Sequence, residues 1–193
     1  LLTSEAKVDN SLVRRGSTNI KWKNINIAAG KLSQAPLYID DTPALSILDL
    51  KARARRLKRE RNIELIIVDY LQLMQGPKNA ENRQNEISQI TQSLKALAKE
   101  LNIPVIALSQ LSRAVEQRTK KEPVLSDLRE SGAIEQDADV VIFLYRPAVY
   151  DKEDQELKGI AYLIVAKQRN GPTGRVTASF IDTYARFDNH TEF

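Results

Sequence analysis

Four polar residues of this 193-residue chain stand where apolar runs end, and each is of a type that can act on a phosphate. Asp69 closes Ile66-Ile67-Val68, Gln110 follows Val105-Ile106-Ala107-Leu108-Ser109, and Lys167 and Arg169 follow the run that ends at Ala166. A carboxylate can hold the water shell of Mg²⁺ beside a nucleotide's phosphates. A neutral amide can register a γ-phosphate and pass its presence to the loop that follows. A Lys or Arg can neutralise charge that develops on a transferring phosphate. Each also has a plainer reading. An Asp after a strand often starts a turn or caps a helix, and a Gln often only closes a strand end. Residue types alone leave both readings open.

The elements that must position these residues follow from periodicity. Ile63 to Asp69 is apolar and β-branched enough for a strand buried on both faces of a parallel sheet. Asp69 then falls at its carboxyl end, where open α/β sheets bind ligands. Ile87, Ile90, Leu94, Leu97 and Leu101 recur three and four apart, which predicts a helix. Ile103 to Leu108 is a second buried strand, so strand, helix and strand form a βαβ unit with parallel strands. Asp139 to Tyr145 and Ile160 to Ala166 read as two more. Asn170-Gly171-Pro172 is a turn, and Val176 to Ile181 returns as an antiparallel hairpin partner. The expected class is α/β, a mostly parallel sheet flanked by helices with a C-terminal antiparallel hairpin.

The front of the chain is less regular. Residues 1–35 read as a helical lead-in broken at Gly16-Ser17, with a second short helix ending near Gly30 and Trp22 packed in a core. Residues 36–193 are expected to carry the sheet. Pro36 to Asp41 reads as a short strand, and one of its two acids is expected to cap the next helix with Pro43 in the first turn. That helix runs through Ile47, Leu50, Ala54 and Leu57, with Lys51, Arg53, Arg55, Arg56, Lys58, Arg59 and Arg61 on a solvated face. Leu111 to Asp127 has no apolar period and reads as a mobile connection.

Composition removes several chemistries. With no cysteine there is no disulfide, thiolate metal site or Cys nucleophile, and the single histidine, His190, removes multi-His metal sites. No apolar run approaches membrane-spanning length, so a soluble, intracellular protein is expected. A net charge of +4 is compatible with a polyanionic partner without arguing for one. A nucleotide enzyme with these strand ends needs a phosphate cradle, G-x-x-x-x-G-K-[ST]. The sequence has none: Gly30-Lys31 is followed by Leu32.

Four stretches together are far more specific than any one residue. Ile66 to Met74 (IIVDYLQLM), Ala107 to Arg113 (ALSQLSR), Ser126 to Asp139 (SDLRESGAIEQDAD) and Lys167 to Gly171 (KQRNG) resemble four motifs of the DnaB-type bacterial replicative helicases, in the family's order and spacing. Arg186-Phe187-Asp188-Asn189 resembles that family's C-terminal signature. The resemblance covers essentially the whole chain.

It implies a RecA-like ATPase domain that assembles as a homo-hexameric ring around single-stranded DNA, with ATP and Mg²⁺ as ligands. Primase and a helicase loader are the implied partners, and the bacterial cytoplasm at the replication fork, or a plastid, is the implied location. In this reading Asp69 is the Walker B carboxylate, acting on Mg²⁺ through water, and Gln110 is the γ-phosphate sensor. Lys167 and Arg169 reach the neighbouring subunit's ATP, with Arg169 as the arginine finger. Arg129, Glu130 and Gly132 match the loop that follows the DNA backbone, where Glu130 either meets DNA or positions Arg129, and Arg113 supports that loop or touches DNA.

The departure from the family is at the front. Its phosphate cradle and a catalytic Glu precede the position of Leu1, so the chain reads as a partial motor domain lacking its N-terminal part. Alone it is expected not to hydrolyse ATP and to expose apolar sheet surface. The rival readings are a RecA-like recombination or repair ATPase and a catalytically degenerate module that only joins rings.

Overall fold

A computed structural model describes the chain apart from Thr18, Lys78, Asn79, Lys152, Glu192 and Phe193, and apart from the side chains of Arg129, Glu130 and Ser131. Its elements in chain order are helices α1 (Leu2–Ala6), α2 (Asn10–Arg14), α3 (Trp22–Gln34) and α4 (Ile47–Arg61), strand β1 (Ile66–Val68), helix α5 (Arg83–Leu101), strand β2 (Val105–Ala107), helix α6 (Gly132–Asp137), and strands β3 (Val140–Tyr145), β4 (Ile160–Gln168), β5 (Gly174–Ile181) and β6 (Arg186–Asn189). The chain divides into two compact units. One comprises Leu1–Asp40, Leu144–Ile164 and Gly174–Phe193, and the other Asp41–Phe143 and Val165–Thr173.

The second unit holds the predicted βαβ unit. β1 and β2 pair in parallel, with Ile66 opposite Val105, Ile67 opposite Ile106 and Val68 opposite Ala107. The helix between them is the one its apolar spacing predicts: Ile87, Ile90, Leu94 and Leu97 are buried, and Thr91 is buried with them. Asn82 caps the start of α5 by accepting the Asn85 N–H at 2.8 Å. Asn62 and Asn102 end α4 and α5 in the left-handed conformation, which Asn adopts more readily than other non-glycine residues. The core gathers Ile47, Val68, Leu71, Met74, Ile87, Ile90 and Leu94.

Burial on both sheet faces does not hold. Ile67 and Ile106 are 59% and 51% exposed, and Val140 and Ile142 are exposed while Val141 and Phe143 are buried. Helix packing covers the face to which Val68 contributes and leaves alternate residues open, as strand geometry requires when one side is covered.

Other expectations at the front and in the connection also change. Pro36 to Asp41 forms no strand, and Leu37, Tyr38 and Ile39 are exposed. α4 begins at Ile47, not near Pro43, and is capped by Ser46, whose Oγ accepts the Asp49 N–H at 3.1 Å. α3 continues through Gly30, and Trp22 is 58% exposed at its start. Leu111 to Asp127 is not a loose connection but contains a 3₁₀ turn at Arg113–Gln117 and meets another at Leu125–Ser131.

The first unit has its own small core of Ala6, Val8, Ile20, Ile25 and Ala28. The four-stranded sheet has the order β3-β4-β5-β6. β4 and β5 are neighbours across the Asn170-Gly171-Pro172 turn, as expected. The signature Arg186 to Asn189 is β6, antiparallel to β5 with Phe187 opposite Phe180.

Candidate functional site

Asp69 lies one residue beyond β1, exposed and with no hydrogen bond or ion pair to any described residue. The peptide bond to Tyr70 is cis. The capping reading fails on this geometry: the 3₁₀ turn Leu71–Leu73 begins after Tyr70 and receives no side-chain cap. An exposed carboxylate at a parallel strand end, without a partner among the described residues, has the acceptor chemistry for waters of a phosphate-bound magnesium ion. Among the described residues, no group of three or more His, Cys, Asp or Glu stands together as a metal cage. A single such carboxylate fits an ion whose other ligands come from a nucleotide and water.

Gln110 lies across the strand pair. Leu108 N–H donates to Val68 O at 2.9 Å and Leu71 N–H to Leu108 O at 2.9 Å, so the two strand ends stay joined past the ladder. Gln72 extends that join. Its Oε1 accepts the Gln110 N–H at 3.2 Å, and its Nε2 donates to Ser109 Oγ at 3.0 Å. The main chain of Gln110 is fixed while its side chain is exposed and without a partner among the described residues. Gln72 was legible only as part of a motif; its role needs the register of β1 against β2. Arg83 holds the same segment from α5, donating to Gln72 O at 2.7 Å and pairing with Glu86, whose Oε1 accepts the Gly76 N–H at 2.7 Å.

The segment after Gln110 is stapled by a residue given no role from sequence. Asp127, 5% exposed, accepts Arg118 Nη2 at 2.6 Å and the Val124 N–H at 2.8 Å. Its carbonyl accepts the Ser112 N–H at 3.0 Å. Arg113 begins the 3₁₀ turn, exposed, with no partner among the described residues. The side chains of Arg129 and Glu130 lie outside the described residues, so the choice between DNA contact and an ion pair for Glu130 stays with the sequence. Gly132 opens α6 in helical geometry, φ −50° and ψ −25°, and an added Cβ there would meet nothing within 4 Å among the described residues.

Lys167 and Arg169 form a second group. Lys167 donates from Nζ to the carbonyls of Glu135 and Gln136 at the end of α6, the latter at 3.3 Å. Arg169 Nε faces Asp139 Oδ1 at 3.5 Å. Asp139 is bonded to Lys95, which together with the nearby Arg169 and Lys167 charges holds its carboxyl below the ordinary value. The structure thus brings Asp69 and Gln110 to one strand edge and Lys167 and Arg169 to α6 and Asp139. No hydrogen bond or ion pair between described residues joins the two groups.

Comparison with known proteins gives this arrangement its context. The family model of the DnaB-like helicase C-terminal domain matches residues 1–189. The chain is 53% identical over 191 residues to the replicative DNA helicase DnaB of Geobacillus stearothermophilus, covering 98% of this chain and 42% of that protein. It is 49% identical over 191 residues to the replicative DNA helicase DnaC of Bacillus subtilis, with the same coverage. Among solved structures, an ATPase domain superposes with a TM-score of 0.93 at 41% identity, covering 99% of this chain and 69% of that one. A DnaB-like replicative helicase, solved in a study of its interactions with primase, gives 0.92 at 41% identity, covering 99% of this chain and 48% of that one. The chain spans less than half the length of the curated relatives.

Proposed function

The chain belongs to the DnaB-like helicase C-terminal domain family, and from that premise we propose that it is part of the motor of a ring-forming, ATP-driven replicative helicase that moves on single-stranded DNA and opens duplex at the fork. The observation that carries the reading is the pairing of Asp69, without a partner among the described residues, with a main-chain-anchored Gln110 at the ends of two parallel strands.

Each residue then has a task set by its position. Asp69 accepts hydrogen bonds from waters around the nucleotide's metal. A bound Mg²⁺ supplies neutralisation of the phosphate oxygens when ATP is present. Gln110 meets the terminal phosphate with its side chain, while Gln72 couples its peptide to the end of β1. Any change at Gln110 therefore passes into Leu111–Asp127, the segment that Asp127 staples, and on towards Arg129, Glu130 and Gly132. Those residues and Arg113 contact the DNA backbone by charge and close approach, without reading bases. Lys167 and Arg169 act on the ATP of the neighbouring subunit, which makes a ring, a homo-hexamer in this family, necessary for turnover. Primase and a loader are the partners we expect, in the bacterial cytoplasm. No helix among the described residues is long and apolar enough to cross a membrane.

The test is Arg169→Ala in the full-length protein. Assembled rings should lose ATP hydrolysis while each variant subunit still binds nucleotide at its own cradle. Unchanged turnover would favour the rival in which this domain only joins rings.

A further inference from the structure

Arg169 leaves the end of β4 beside Asp139, the residue that precedes β3. Two contacts join them. The Arg169 N–H donates to Asp139 O at 2.8 Å, and the guanidinium Nε faces Asp139 Oδ1 at 3.5 Å. The other oxygen of the same carboxylate, Oδ2, takes the ammonium of Lys95 from α5. Two residues earlier on β4, Lys167 is held by the carbonyls of Glu135 and Gln136. Asp137, between these groups, accepts Thr91 Oγ1 at 2.6 Å. The short stretch Glu135–Asp139 therefore ties α5, α6 and the end of β4 together.

The way Asp139 holds Arg169 matters more than the fact that it does. A carboxylate that takes the terminal fork of a guanidinium bidentately occupies the face an arginine uses for a phosphate. Here the approach is from Nε, at 3.5 Å, and neither Nη donates a hydrogen bond to a described residue. Among the described residues no other acceptor reaches the guanidinium, so both Nη groups remain for a second anion. The pair is also half exposed, 53% for Arg169 and 54% for Asp139. Exposed pairs of this kind contribute little to stability. Orientation is the effect left to the contact.

We infer that Asp139 is a positioning residue for Arg169. It anchors the Arg169 peptide through its own carbonyl and draws the guanidinium towards Oδ1 by charge, with Lys95 on the other carboxylate oxygen, and so presents the Nη fork to the neighbouring subunit's nucleotide. The inference rests on the proposed role of Arg169, and it adds a residue to which neither composition nor motif assigned a task.

The experiment uses Asp139→Asn, Asp139→Ala and Asp139→Glu in the full-length protein assembled as a ring, with kcat and KM for ATP measured separately. The Asn and Ala variants should lose about 10- to 100-fold in kcat, the scale of a misplaced catalytic group. KM should stay within about twofold, because the subunit's own cradle is untouched. The Glu variant should recover part of the loss. If the Ala variant does not assemble, the isosteric Asn variant decides. Full or raised kcat in the Asp139 variants while Arg169→Ala is inactive overturns this inference alone. An active Arg169→Ala ring overturns both this and the underlying reading.

Discussion

Gln72 and Gln110 are joined by a reciprocal contact between one side chain and one peptide: the Gln110 N–H donates to Gln72 Oε1 at 3.2 Å, and Gln72 Nε2 approaches Gln110 O at 3.4 Å. The contact lies where β1 and β2 stop pairing, so it continues the strand ladder by side-chain means. Replacing Gln72 by Ala removes it together with the bond to Ser109. A neutral hydrogen bond of this kind is worth about 1 kcal/mol to stability. The larger effect is expected on chemistry: a Gln110 backbone free to shift should lower kcat for ATP in the full-length ring by about tenfold. Steady-state hydrolysis and a thermal melt on the same preparation check this. Wild-type turnover in Gln72→Ala would remove Gln72 from the site.

Asp127 should matter to the fold more than its place in a polar segment suggests. Its buried carboxylate answers Arg118, which also donates to Glu122 O at 3.1 Å. Asp127→Ala leaves the partly buried guanidinium without its counter-charge and the Val124 N–H without its acceptor. A loss of about 2–4 kcal/mol is expected, smaller for Asp127→Asn. The local consequence is as informative as the global one. Trypsin should cut at Arg118, Lys120 or Lys121 faster in the variant, at denaturant concentrations where the rest of the chain is still folded. Equal cleavage rates would mean that the staple is not what orders this segment.

That segment also shows where sequence reading reaches its limit. Long elements with one periodic stripe were legible: α5 lies where Ile87, Ile90, Leu94 and Leu97 place it, and the parallel pairing of β1 with β2 follows from a helix between two apolar runs. Leu111–Asp127 was not, because its order comes from one buried ion pair and backbone caps, which leave no period. Sheet burial was misjudged for a related reason. An apolar run shows that a strand can be covered on both faces, not that both are, and Ile67 and Ile106 are open. Within the site, Asp69 and Gln110 were legible as strand ends, whereas Gln72 and Asp139 act through register and through the return of β4.

Glu86 gives a pH-dependent test. The Gly76 N–H, and after it Arg83, hold its carboxyl below the ordinary value of 4.5. A group whose folded pKa is depressed contributes stability above its unfolded value and loses it as pH falls through the folded one. The Glu86 contribution should thus be complete above about pH 5 and fade as the pH falls below that ordinary value, on the acid side only. Glu86→Gln should cost about 1–2 kcal/mol at pH 7 and show a flatter fall in stability between about pH 5 and pH 3. Gly76→Ala should resemble it, because an added Cβ would collide with Glu86 Cγ. Urea unfolding across pH checks both; parallel pH profiles for wild type and Glu86→Gln would rule the contact out as a source of acid sensitivity.

Gly132 separates what the fold needs from what a ligand needs. Its backbone is helical and a Cβ would meet no described atom within 4 Å, so no contact among the described residues requires glycine. Gly132→Ala should raise stability by about 0.5–1 kcal/mol, through the lower entropy of the unfolded chain and the better helix propensity. If the glycine is there to let a DNA phosphate approach the backbone, the same substitution should weaken single-stranded DNA binding by the full-length protein about tenfold. Because no charge is lost, the dependence of log affinity on log salt should keep its slope. Arg113→Ala provides the contrast: a phosphate contact made by charge should weaken binding and reduce that slope by about 0.7 on a single strand. Fluorescence anisotropy with labelled oligonucleotide over a salt series, beside a thermal melt, measures all of these. A stabilised Gly132→Ala protein that binds DNA as tightly as wild type would place the backbone contact elsewhere in the loop.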